Sequence, residues 1–322
     1  MSEAKEARIL RRPQIEAALA GLDLVALMER AFTGYSEGRA RVSAVGELLF
    51  ERPPGEAHIK AASVAGEPLF VVKVATGFYE NPRRGLPSSS GVVILFDAAT
   101  GEPDTILLDH GLLTDARTAA AGATAAKWLA RQDATVIAVL GAGVQARLQL
   151  AALRDVVAAR EVRVWSRRPE AAEQLAAYAA ELGFVARVSR SPGEAARADQ
   201  IVVTATPAAS PLLTAADIQA GAHITAVGAD APHKAELAAD LIRRADRLAT
   251  DSRAQARQRG ELRRAPADSA MVELGEVIAG LEPGRRAAGD ITLCDLTGLA
   301  TQDLEIARAV AGAIACSAGC AG

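Results

Sequence analysis

Apolar residues recur at helical spacing over residues 13–38, at Ile15, Leu19, Leu22, Val25, Leu27, Met28 and Phe32, with Gly34 near the end of the run. That spacing predicts one opening helix. Strand-like texture follows: Glu47 to Phe50, His58-Ile-Lys60-Ala-Ala, and Leu69-Phe-Val-Val-Lys73-Val-Ala. Gly66-Glu-Pro68 between the last two is a turn signature, so they should be antiparallel neighbours. Val92 to Phe96 and Thr105 to Leu108, separated by Asp97-Ala-Ala-Thr-Gly101, add a strand, turn and strand. The first part therefore reads as a mostly antiparallel sheet with a helix. An alanine-rich helix should begin at Thr114-Asp-Ala-Arg117 and end near Ala130, with Thr114 as N-cap and Asp115 complementing the helix dipole.

From Thr135 the pattern alternates. Strands are expected at Val162 to Trp165, Phe184 to Val188, Asp199 to Thr206, His223 to Asp230, Arg247 to Thr250 and Ile291 to Asp295, with a helix from Pro169 to Leu182 and a last helix from Thr301 to Ala315. Short apolar strands alternating with helices predict a parallel, doubly wound sheet. Arg253 to Pro266, rich in Arg and Gln, reads as a solvated helix and loop.

The stretch Thr135-Val-Ile-Ala-Val-Leu-Gly-Ala-Gly-Val-Gln-Ala146 opens that alternation. A strand runs into Gly141-x-Gly143-x-x-Ala146 and on into a helix, which is the layout of a dinucleotide site. Gly141 permits the tight turn, Gly143 lets backbone N–H groups approach a pyrophosphate, Ala146 allows close helix packing, and the helix N-terminus supplies partial positive charge. An NAD site normally has an acid at the end of the second strand, whereas a 2′-phosphate needs arginine there. Here that strand ends in Trp165-Ser166-Arg167-Arg168, and Glu161 stands at its other end. The cofactor is expected to be NAD(P)(H), with the residues leaning to NADP and NAD remaining open.

Composition narrows the picture. A chain of 322 residues with 50% hydrophobic content is long enough for two domains with their own cores. A net charge of −3 gives no bulk basic field, so neither nucleic acid nor an anionic membrane is an expected partner. No window offers a membrane span and the charged start does not resemble a signal peptide, so a cytoplasmic protein is expected. Cys294, Cys316 and Cys320 read as buried thiols, and the four histidines lack metal-ligand spacing, so no metal is expected. Of 36 basic residues only five are lysines (5, 60, 73, 127 and 234), which makes Lys73, inside an apolar strand, conspicuous.

Leu113-Thr-Asp-Ala-Arg117-Thr-Ala-Ala, Gly141-Ala-Gly-Val-Gln145-Ala, Ala205-Thr-Pro207, Ala226-Val-Gly-Ala-Asp230-Ala-Pro-His-Lys234-Ala-Glu-Leu237 and Cys294-Asp-Leu-Thr-Gly298-Leu-Ala-Thr-Gln-Asp303 together resemble the ornithine cyclodeaminase/μ-crystallin family over nearly the whole chain. The resemblance implies an α/β protein. A Rossmann NAD(P)-binding domain would span residues 121–299, and an α+β substrate-binding and dimerisation domain would span 1–120, with 300–322 returning to it. It also implies a homodimer with the nicotinamide held between the two domains, and an enzyme that moves hydride between nicotinamide and the α-carbon of an amino or imino acid. Carried over by position, Arg41 and Arg117 resemble the pair that clamps the substrate carboxylate, a task suited to bidentate guanidinium. Lys73 resembles the central lysine that exchanges a proton with the substrate nitrogen, and Asp230 the aspartate that orients amine or water. Ala142, Val144, Gln145, Thr206, Val227 and Gly228 complete the expected cofactor contacts.

One departure bears on the substrate. Thirteen residues before the central lysine, ornithine-specific members carry a glutamate, and this chain has Lys60. A cation there disfavours a diamine and favours a second carboxylate, with Ser88 as a hydroxyl able to contact the same group. The resulting expectation is reduction of a small anionic imino acid to an amino acid, in its sharpest form iminosuccinate to aspartate. The alternatives are an ornithine-type cyclodeaminase with tightly bound NAD, an alanine dehydrogenase or cyclic ketimine reductase, and a non-enzymatic carrier of the μ-crystallin type.

Overall fold

The computed structural model describes residues 6–78, 80–197, 200–229 and 231–319. The chain divides into two compact units, Met1–Arg117 with Leu299–Gly322, and Thr118–Gly298.

In the first unit the described strands are β1 (Arg8–Arg11), β2 (Ala40–Val42), β3 (Gly46–Glu51), β4 (Pro54–Val64), β5 (Leu69–Phe78), β6 (Ser89–Asp97) and β7 (Pro103–Leu108). They form one sheet in the order β1-β7-β6-β5-β4-β2, with β3 also on β4; β1 joins β7 in parallel and every other pairing is antiparallel. The predicted single opening helix is two, α1 (Arg12–Leu19) and α2 (Leu24–Ser36). Apolar spacing runs across the break, but Gly21 weakens the helix and the Asp23 carboxylate accepts the Ala26 N–H at 3.0 Å, capping a new start. The next helix, α3 (Leu112–Leu129), begins two residues before Thr114. Its cap is Asp109, whose Oδ2 accepts the Leu113 N–H at 2.9 Å.

The second unit carries β8 (Val136–Leu140), α4 (Val144–Arg154), β9 (Glu161–Trp165), α5 (Pro169–Glu181), β10 (Val185–Val188), α6 (Pro192–Ala196), β11 (Ile201–Thr204), β12 (His223–Ala226), α7 (Ala239–Arg244), β13 (Arg247–Thr250), α8 (Arg253–Ala256), β14 (Met271–Glu273), α9 (Leu274–Ile278) and β15 (Thr292–Asp295). Its sheet is parallel throughout, in the order β10-β9-β8-β11-β12-β15-β13-β14. Ile137 and Val139 of β8 enter one hydrophobic cluster and Ala138 and Leu140 the other, as expected for a strand covered on both faces. The connection reverses between β8 and β11, which is the switch point where doubly wound sheets bind ligands.

Arg253 to Pro266 is not a solvated run. Ala256, Glu261 and Leu262 are fully buried. Glu261 goes inside because its carboxylate accepts the backbone N–H groups of Glu236 and Leu237 at 2.6 and 3.2 Å. Cys294 is buried as expected but Cys316 is exposed, and Cys320 lies outside the described residues. The final helix, α10 (Ala300–Gly319), returns to the first unit and packs on α1, α2, β4, β5 and β6. Among the described residues no helix is long and apolar enough to cross a membrane.

Candidate active site

In the second unit the turn after β8 needs glycine. Gly141 has φ +114°, and a Cβ there would lie 2.4 Å from the Ala205 carbonyl oxygen. Around Gly143, in contrast, a Cβ would meet nothing within 4 Å, which leaves open space at the start of α4. The N-cap of that helix is Gly143, which brings no side chain of its own to the first-turn N–H groups, as a helix start that receives an anion requires. Ala146 is fully buried in the core beneath the turn.

A cavity of about 540 Å³ opens at these strand ends, within the range typical of small-molecule sites. Gly141, Ala142, Gly143, Ser166, Arg167, Arg168 and Thr206, all expected cofactor contacts, line it together with Trp165 and the Ala205–Ser210 segment. Arg167 and Arg168 are exposed, and Ser166 is half-buried. Val144 and Gln145 stand in the first turn of α4, while Val227 and Gly228 follow β12. These four are not among the cavity's lining residues. The glycine cradle, glycine-capped helix start and roomy cavity fit a pyrophosphate-bearing dinucleotide.

In the first unit the register of β4 on β5 sets Lys60 directly opposite Lys73, on the sheet face covered by α10. Both are buried, at 8% and 2% exposure. Like charges side by side on a sheet are destabilising unless something compensates. Asp303, in the first turn of α10, holds the Lys73 ammonium at 2.7 Å and stands 3.3 Å from Arg117 Nε. The Arg117 Nη1 group donates to Gln302 Oε1 at 3.3 Å. Burial lowers the Lys73 pKa and the Arg117 charge adds to the effect, while Asp303 opposes it. Burial alone would raise Asp303, yet Lys73, Arg117 and Lys60 hold it below the usual carboxylate range. Burial also raises the Asp109 carboxyl, although it accepts backbone N–H groups. The cluster is therefore three cations facing an ionised Asp303 and a more easily protonated Asp109.

The structure thus gathers Lys60, Lys73 and Arg117. It does not bring Arg41 or Ser88 to them. Arg41 is exposed on the edge strand β2 opposite Ser63, out of phase with Lys60, and Ser88 is exposed just before β6. Asp230 lies outside the described residues. Asp303, Gln302 and Asp109 were not among the residues expected to build the site. The available signal was Thr301-Gln-Asp303 at a helix start, where an acid reads equally well as a dipole partner. Among the described residues no group of three or more His, Cys, Asp or Glu could hold a metal ion.

A doubly wound unit with a dinucleotide-shaped cradle, on a chain that also carries a buried lysine–arginine–aspartate cluster, defines a class of nucleotide-dependent enzymes. The chain belongs to the Ornithine cyclodeaminase/mu-crystallin family, whose model matches residues 5–316. A dehydrogenase-named protein of Rhizobium meliloti (strain 1021) is 43% identical over 317 residues, covering 94% of this chain and 96% of that protein. An archaeal alanine dehydrogenase dimer with bound NAD superposes with a TM-score of 0.90 at 32% identity, over 97% of each chain. The iminosuccinate reductase of Paracoccus denitrificans in complex with NAD+ superposes with a TM-score of 0.89 at 29% identity, over 98% of each chain.

Proposed function

We propose that this protein is an NAD(P)H-dependent reductase of a small dicarboxylic imino acid, with iminosuccinate reduced to aspartate as the sharpest form. The observation that carries this reading is the buried pairing of Lys60 with Lys73 on one sheet face. Lys60, Lys73 and Arg117 concentrate cationic side chains on one buried face, and an anionic substrate is complementary to that face. Arg117 suits the α-carboxylate and Lys60 the distal one. Further along the same face of β4, His58 stands between Glu47 and Glu56, at 3.6 and 3.5 Å. The cationic stretch therefore ends at Lys60, which favours a short diacid.

Reduced nicotinamide, when bound, supplies hydride to the α-carbon of the C=N bond. Lys73, kept easier to deprotonate than an ordinary lysine, supplies the proton that ends on the substrate nitrogen. Asp303 keeps Lys73 and Arg117 in place between turnovers. Gly141, Gly143 and the start of α4 would hold the pyrophosphate, and Ser166 with Arg167 and Arg168 the adenosine ribose or its 2′-phosphate. The finer cofactor reading is NADPH.

The reading extends to a homodimer. The sheet face turned away from α10 carries Ile59, Val74 and Val92 in one row and Ala61, Val72, Ile94, Ile106 and Ile9 in another. Ile9 and Ile59 are 55% and 39% exposed, and Leu48 on the neighbouring strand is 55% exposed, a continuous apolar surface suited to a second copy.

Purified protein assayed with oxaloacetate plus ammonia should oxidise NADPH or NADH and yield aspartate. Ornithine turnover with no net change at the nicotinamide absorbance, and no activity on the dicarboxylic imine, would overturn the reading in favour of a cyclodeaminase.

A further inference from the structure

Glu236 is fully buried in the second unit and lies outside its strands and helices. Its Oε1 accepts both the Thr206 backbone N–H at 2.7 Å and the Thr206 hydroxyl at 2.8 Å. Its Oε2 accepts the Thr204 hydroxyl at 2.8 Å and the Gly228 backbone N–H at 3.0 Å. One carboxylate thus ties the chain leaving β11 to the chain leaving β12. The two loops are already as close as glycine allows, since a Cβ on Gly228 would lie 2.3 Å from the Thr206 carbonyl oxygen and 2.6 Å from Glu236 Oε2. Thr206 is itself a wall of the cavity.

We infer that Glu236 is the positioning residue of the cofactor rim, fixing the Thr206 and Gly228 loops through an acceptor-only, ionised carboxylate. This rests on reading the cavity as a dinucleotide site. The residue touches no reacting atom; it acts by holding two part-buried backbone N–H groups, one on each loop. Its backbone is held in turn, since its N–H donates to Glu261 Oε1 and its carbonyl accepts the Leu212 N–H, both at 2.6 Å.

The charged groups around it follow from the packing. Glu261 faces Glu236 and is paired with Arg264, while Arg263 and Asp295 lie beyond Glu261. Burial raises the Glu236 carboxyl to about 7, against the lowering effect of the Thr206 and Thr204 hydrogen bonds. A protonated Glu236 can give its O–H only to the Thr204 or Thr206 hydroxyl, which must then turn and surrender its own donation to the carboxyl group. The rim should therefore loosen as pH falls through neutrality.

The test measures NADH and NADPH affinity by nucleotide fluorescence at pH 6 and pH 8 in wild type, Glu236→Gln and Thr204→Val. Wild type should bind more weakly at pH 6. Glu236→Gln should bind about tenfold more weakly than wild type at pH 8, with the pH difference abolished. Thr204→Val, which removes a single donor outside the cavity wall, should weaken binding about threefold at pH 8 and keeps the inference testable should Glu236→Gln fail to fold. Wild-type affinity and pH dependence in a folded Glu236→Gln, or in Thr204→Val where the other variant does not fold, overturns the inference. A wild-type protein that binds neither nucleotide overturns the cofactor reading instead.

Discussion

In the nucleotide-binding unit the cavity takes its shape from backbone. Gly141 and Gly143 clear the turn, and Thr206 is held from behind by Glu236. In the sheet unit the functional surface is side-chain charge: Lys60, Lys73, Arg117, Asp109 and Asp303 crowd one buried face. The difference sets how each fails. A backbone cradle loses affinity in small steps as single contacts go. A buried ion cluster is brittle, because deleting one member strands the charge of another.

The largest expected effect is therefore in the charged cluster. Lys73→Met should lower kcat by about 10³-fold, the range of a lost general acid, while NADH affinity stays within about twofold of wild type. Equal losses in catalysis and in nucleotide affinity would mean that the two sites are not separable in the way their construction suggests. Circular dichroism checks that the Asp303 carboxylate left behind has not unfolded the variant. Next comes Lys60→Gln, which should lower kcat/KM for the dicarboxylic imine by about 30-fold and leave a monocarboxylic imine less affected, since one lost charge-assisted contact is about 2 kcal/mol. Equal loss on both substrates would reassign Lys60 from the distal to the α-carboxylate.

The same contrast explains what could be read from the sequence. Cradle residues 141, 143 and 146 are neighbours in the chain, so their spacing carries the geometry. Lys73 stood out against an arginine-rich background. Its partner Asp303 is 230 residues away, and no local pattern links the two; only the return of α10 onto the sheet joins them. The interrupted first helix was legible in principle, in Gly21 and Asp23, but apolar spacing outvoted two polar and flexible positions. The burial of Glu261 was not, because it depends on backbone N–H groups at 236 and 237.

A third prediction concerns the cradle's support. Glu236 ionises near 7 in the folded protein and near the ordinary 4.5 when unfolded, so between those values the folded state holds a proton that the unfolded chain has released. Protonation costs the rim one of its hydrogen bonds but relieves the burial of a charge, so the net stability from this group is present at low pH and is lost as pH rises through that window. Thermal unfolding of wild type measured against Glu236→Gln should show wild type losing up to about 3 kcal/mol relative to the variant between pH 4.5 and 7. A constant difference across that range would mean that the Glu236 carboxyl does not titrate there.

The smallest expected effect lies at the exposed end of the cavity. Arg167 and Arg168 follow β9, and Arg168 sits at the start of α5, with its backbone N–H 3.4 Å from the Ser166 hydroxyl. A 2′-phosphate gains charge-assisted bonds from such residues, whereas a ribose hydroxyl gains little, so the two cofactors should respond differently. Because both arginines are solvated, each contributes less than a buried cation would. Replacing both with alanine should weaken NADPH binding by about tenfold and change NADH binding by less than about twofold. Loss for both nucleotides alike would place the arginines on the shared pyrophosphate, and charge would then matter to the cradle as it does to the cluster around Lys73.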